Sequence, residues 1–211
     1  MSDALDHLAR PAGHLLARVD DLLTRFGAAD DDPIWPLLRR VRALPGEATA
    51  ALTSTLRAEP ITAAGAAVRA RTTTYDEARA AVSAPVAWEG PAGDAFEAHA
   101  ARLAADLTAA TDHLAATARL ADEAADWVVR TRARLAAVLA EVLTSGEAVA
   151  VVLGANDAAR AAVTIATRVL TALDSAGVDA ETISHPGRGL RSGPVSALPP
   201  ANYERITRLS Y

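Results

Sequence analysis

No proline interrupts the chain between Ala92 and Ser145. Across it the apolar and small residues keep a 3.5-residue rhythm through Leu103, Leu107, Ala110, Leu114, Thr117, Ala121, Ala124, Val128, Thr131, Leu135, Val138 and Val142. One helix over this stretch would be roughly 80 Å long at ~1.5 Å per residue, too long for a single partner arm to cover. Its distal part, around Trp127, Val128, Leu135, Val138 and Leu139, therefore has to pack on the N-terminal helices, on the helix after Gly146, or on another chain.

The long helix needs a start, and the residues before it supply one. Pro85 ends an incoming helix, since it has no N–H to donate and disfavours helical geometry at Ala84. Gly90 lets the chain reverse. Pro91 suits a first helical position, and Asp94 falls in the first turn, where the macrodipole favours a carboxylate. Trp88 and Phe96 flank this punctuation, which predicts a bend folded back onto its stems as part of the core. Upstream, Ile61, Val68, Tyr75 and Val82 recur every seven residues with Ala64 and Ala78 between them, the seam of a first, coiled-coil-like arm.

Composition agrees with helices. Of the 211 residues about a quarter are alanine, the best helix former, and aromatics make up 4%. All 21 basic residues are arginine, a bias expected of a GC-rich genome, and the formal charge of −5 argues against nucleic acid as a partner. With no cysteine there is no disulfide, thiolate nucleophile or cysteine-ligated zinc. The first residues lack the basic-then-apolar order of a signal peptide. No stretch reaches the ~18 apolar residues of a membrane span, Ala148 to Leu153 being the nearest.

The fold class expected is all-α: an elongated helical hairpin with additional N- and C-terminal helices and a flexible C-terminal tail. Residues 1–44 read as accessory helices, with Leu5, Leu8, Leu15, Leu16, Val19, Leu22 and Leu23 on an apolar face, Pro11 as a break and Gly27 as a stop. Asp30-Asp31-Asp32-Pro33 reads as a capped helix start before Ile34, Trp35, Leu37 and Leu38. Residues 45–145 form the hairpin, with a break at Glu59-Pro60. Residues 146–177 form a third helical segment with a bend near Gly154, Asn156 and Asp157, ended by Ser175-Ala176-Gly177. Residues 178–211, rich in proline and glycine, read as a flexible tail made locally basic by Arg188, Arg191, Arg205 and Arg208. Within it Tyr203, Ile206 and Leu209 allow a turn of helix on a partner.

Chemistry-bearing motifs are absent from this reading. His99, Asp106 and His113 share a helix face, but successive members stand ~10.5 Å apart along the axis, too far for one ion. The Gly187-to-Gly193 run lacks the spacing and lysine of a phosphate loop, and no serine sits in a nucleophile elbow. No catalytic, cofactor or metal site is expected. Trp35 and Trp127 read as core.

A Trp-x-Gly in the bend between two long helices, here Trp88-Glu89-Gly90, followed closely by Phe96, resembles the WXG family of substrates of the type VII (ESX) secretion system of actinobacteria and related Gram-positive bacteria. The likeness spans roughly residues 45–134. It implies a structural turn at Trp88, Gly90, Pro91 and Phe96. It also implies pairing of two hairpins into an antiparallel four-helix bundle, as a homodimer or with another protein. The face available for that packing holds Ile61, Val68, Tyr75, Val82, Leu103, Leu107, Leu114, Val128 and Leu135. A family member is made in the cytoplasm and secreted without a cleaved signal peptide, which makes the secretion machinery a further partner. The family's export signal, a tyrosine followed four residues later by an acidic residue, has no counterpart: Tyr75 precedes Arg79 and Tyr203 precedes Thr207 at that spacing. A cytosolic adaptor or chaperone-like protein that holds a partner helix is the alternative expectation.

Overall fold

The computed structural model describes residues 3–85 and 87–191, with side chains through His185. The described residues form seven helices and no strand: α1 (Ala4–Phe26), α2 (Ile34–Val41), α3 (Pro45–Thr55), α4 (Ala58–Val82), α5 (Pro91–Leu143), α6 (Gly146–Leu153) and α7 (Ala158–Arg191). The chain is all-α, as composition and periodicity predict.

Local signals set most boundaries. Asp3 caps α1 by accepting from the Asp6 amide at 3.0 Å, and the Asp6 carboxylate accepts from the Asp3 amide in return. Asp32 accepts from the Ile34 amide at 2.9 Å, and α2 opens one residue later than the aspartate–proline reading places it, with Pro33 in the capping position. The Gly46 amide donates to both oxygens of Asp20 at 3.1 Å, fastening the start of α3 to α1. Ser145 caps α6, and Gly154, at φ 66°, turns the chain into α7.

A body of α1, α2, α3, α6, α7 and the C-terminal part of α5 encloses one core. Leu5, Leu16, Val19, Ile34, Leu135, Leu139, Val142, Val151, Ile165, Val169 and Leu170 are each at most 2% exposed there. From this body α4 and the N-terminal half of α5 project as an antiparallel pair. Gly65 faces Ala121, Arg69 bonds Asp122 at 2.8 Å, and at the far end Val82 and Phe96 border one groove. Gly65 is the one buried residue of α4, because a Cβ there would lie 3.1 Å from that of Ala121. The seam closes at Ile61, Gly65, Val68 and Thr72, while Ala64 and Ala78, expected midway, are exposed.

Three expectations need correction. Pro11 does not break the N-terminal segment: α1 runs through it. The hydrogen bond that proline forgoes lies on the exposed His7–Pro11 side, and Leu5, Ala12, Leu15, Leu16 and Val19 bury one continuous stripe that offsets the cost. Nor does Ser175-Ala176-Gly177 stop the third segment, since α7 continues to Arg191. Ala176 is buried with its carbonyl accepting from Trp127 Nε1 at 3.2 Å, and Gly177 does not take the positive φ of a stop. The tail expected from residue 178 is thus helix up to Arg191, and its remainder, 192–211, lies outside the described residues. Finally, Ala158–His185 is long and apolar enough, by composition alone, to cross a membrane, contrary to the reading of the sequence. In this fold its Ala162, Ile165, Ala166, Val169 and Leu170 are fully buried in the core.

Candidate functional site

The residues singled out at the bend meet at the free end of the α4–α5 hairpin. Gly90 (φ 93°) swings the chain into α5, and Pro91 takes the first helical position. Gly93 is buried because the Trp88 carbonyl rests against its Cα, and a Cβ there would run into that oxygen. The Trp88 and Phe96 rings meet edge to face, with centroids 5.9 Å apart at 62°.

This pair is not in the core. Trp88 is 57% and Phe96 40% exposed, because the hairpin carries the turn away from the body and, among the described residues, only the two stems border it. Glu89, Asp94 and Glu97 surround the pair in solvent, and no arginine occurs between Arg79 and Arg102. The tip is therefore aromatic, acidic and open, beside a groove of about 320 Å³ bordered by Val82, Pro85 and Phe96.

Exposure changes the energetics of the turn. Trp88→Ala removes an edge-to-face pair and little buried area, so the expected loss is about 1 kcal/mol. Calorimetry should register it as a fall of only roughly 2–4 °C in Tm. Gly93→Ala pushes the Trp88 carbonyl aside, and one of the three indole N–H resonances should move while helicity stays constant.

The proposed packing face divides between tip and body. Ile61, Val68, Val82, Leu107 and Leu114 are half-buried, and Tyr75 (38%) and Leu103 (40%) are exposed. Val128 and Leu135 are 0% and 2% exposed inside the body, which leaves them no surface to offer a partner. Trp127 is half-buried, but Trp35 stands 37% exposed at the surface with its Nε1 donating to the Ala29 carbonyl at 2.8 Å.

A second constellation, at the root of the hairpin, was not foreseen. Arg132 of α5, 4% exposed, donates to Asp3 at 2.5 and 2.9 Å and to Asp6 at 2.7 Å. It also donates to the carbonyls of Thr53 and Leu56 at 3.4 and 3.0 Å, and Arg57 reaches Asp6 at 2.9 Å. One guanidinium thus joins the start of α1, the end of α3 and the middle of α5, with its donors well used. Arg132 holds the Asp3 carboxyl below the usual carboxylate range. Arg57, with Arg132 behind it, does the same to Asp6. A sequence signal existed: Val128, Arg132, Leu135, Leu139 and Val142 share one helical face, an arginine within an apolar stripe. Its aspartate partners, about 130 positions away, left no such trace.

No protein-family model, curated protein or solved structure matches this chain.

His99, Asp106 and His113 all face solvent, and among the described residues no three His, Cys, Asp or Glu are placed to hold a metal ion. A further apolar surface lies on α6. Val149, Val152 and Leu153 are 56%, 50% and 76% exposed beside Pro11, His14 and Arg18 of α1, around a groove of about 410 Å³.

Proposed function

We propose that the chain is a non-enzymatic WXG-like helical protein of a type VII (ESX) secretion pathway, acting as a substrate or as the dimer partner of one. The observation that carries this reading is the position of Trp88-Glu89-Gly90. It occupies the turn between two antiparallel arms, α4 and α5, and it is presented to solvent. The arms are thin: of the described residues between 58 and 124, just Gly65, Gly93 and Ala118 are buried. Pairing with a second hairpin, of the same or another chain, would cover Tyr75, Phe96 and Leu103 and give the arms the core that two helices alone lack.

The test is the amount of protein in culture supernatant and lysate of its host, with and without a functional type VII secretion ATPase. Supernatant protein that vanishes with the ATPase supports the reading. Protein confined to the lysate in both strains overturns it in favour of the second reading, a cytosolic adaptor or chaperone-like protein. That alternative is favoured by the open α1–α6 groove with Val149, Val152 and Leu153, which suits the apolar face of a partner helix.

A further inference from the structure

We infer that the hairpin tip of one copy docks on the α1–α6 groove of a second copy, so that the chain associates with itself head to tail. Three observations converge on it.

The first is shape. Beyond Glu147, α6 is apolar on all sides: Ala148 and Val151 are buried, while Val149, Val152 and Leu153 are half or more exposed. Leu153, at 76%, is the most exposed of the large apolar residues described. With Pro11 and Leu15 of α1, these three wall the groove of about 410 Å³. At the other end of the molecule Trp88 and Phe96 stand out as an edge-to-face pair. A projecting aromatic pair at one end thus answers a concave apolar lining at the other.

The second is charge. Glu89, Asp94 and Glu97 accompany the aromatic pair in solvent, with no arginine from 80 to 101. The groove is bordered by His14 and Arg18, and Arg10 lies one turn before His14 on α1. Neither Arg10 nor Arg18 enters an ion pair among the described residues. The acids of α1 and α6 are already engaged: Asp6 by Arg57 and Arg132, Asp20 by the Gly46 amide, Asp21 by Arg25 and Glu147 by Arg168. The groove therefore offers free guanidinium groups, and the tip brings the carboxylates and the indole face that suit them.

The third is distance. Phe96 at the tip and Leu143 at the groove are separated by roughly 70 Å of unbroken α5. A tip cannot fold back onto its own groove, so the groove it meets belongs to a neighbour. Each copy then turns its tip to one neighbour and its groove to another, a heterologous contact that closes into a ring or runs on as an open chain. Two aromatic side chains bury about 150–250 Å² each. The contact stays below the ~1,000 Å² of a stable interface, which makes the association weak and concentration-dependent. Side-by-side pairing of hairpins also covers Phe96, so a partner hairpin releases the copy from this contact.

Sedimentation velocity of the purified full chain over a concentration series tests the inference. The sedimentation coefficient of the wild type should rise with concentration, and less so in high salt. Trp88→Ala/Phe96→Ala removes the tip and Val149→Glu/Leu153→Glu removes the groove, all four at exposed positions; Arg18→Glu spares the apolar lining and reverses one charge. The first two variants should lose the rise, and Arg18→Glu should weaken it, with helicity unchanged in all three. An equal mixture of the tip and groove variants should regain a dimer and nothing larger, because one intact tip and one intact groove remain. A wild type whose coefficient stays constant with concentration would overturn the inference. So would association that survives the groove variants and is lost in Tyr75→Ser/Leu103→Ser, which is the mark of side-by-side hairpins. This readout does not depend on secretion, and the inference stands or falls apart from the pathway proposed above.

Discussion

Arg132→Met should lower the melting temperature by roughly 6–12 °C, taking ~2–4 °C per kcal/mol for a chain of this size and about 3 kcal/mol for breaking a buried pair. Methionine keeps much of the volume and fills the apolar stripe of α5. It leaves the Thr53 and Leu56 carbonyls and the two aspartates without their shared donor. The larger part of the loss is the unpaired groups, not the attraction forgone. A pH series separates the two. Asp3 and Asp6 are held below the usual carboxylate range, so the stability they contribute is complete above the unfolded-chain value of ~3.9 and disappears as pH falls through their folded values. The wild-type melting temperature should therefore drop on acidification below about pH 4, and the Arg132→Met curve should be flatter there. Asp20 works in the opposite sense: burial raises its carboxyl, so its contribution favours the fold at low pH and is lost as pH rises through the folded value. It cannot produce the acid-side fall.

Leu139→Ala should have a comparable effect with no acid signature. Leu139 is 0% exposed in the centre of the body, in one core with Leu16 of α1 and Ile165 of α7. Truncation there costs about 3–4 kcal/mol, as transfer free energy and the cavity left behind. Denaturant unfolding should show a lower midpoint with an unchanged slope. Trp88→Ala, which removes far more side-chain volume, should cost much less than either. A tryptophan variant as damaging as Leu139→Ala would mean that the tip is covered far more fully in solution than its 57% exposure indicates.

Much of the architecture could be read from residue order. The 3.5-residue rhythm and the absence of proline define α5, whose ends at Pro91 and Leu143 fall within two residues of those expected. Gly154 divides α6 from α7 because a left-handed residue ends a helix cheaply only when it is glycine. The misreadings share a cause: a local breaker was outweighed by tertiary burial. Pro11 sits on the solvent side of a helix whose other side is core, and Gly177 adjoins Ala176, which the body holds in place. The tip misled for the reverse reason. Trp88 and Phe96 have the chemistry of core residues, and only the distance from the body leaves them exposed. The Arg132 cluster depends on contacts between residues 126 and 129 positions apart, which no local pattern encodes.

Because α5 is unbroken over 53 residues, it behaves as a rigid lever with its fulcrum at Arg132. Pro91 lies about 60 Å from that point along the axis. A tilt of only about 5° where the helix is gripped displaces the far end by roughly 5 Å at that length. Loosening the grip should scatter the aim of the aromatic end well before it unfolds the body, so accuracy of presentation is lost ahead of stability.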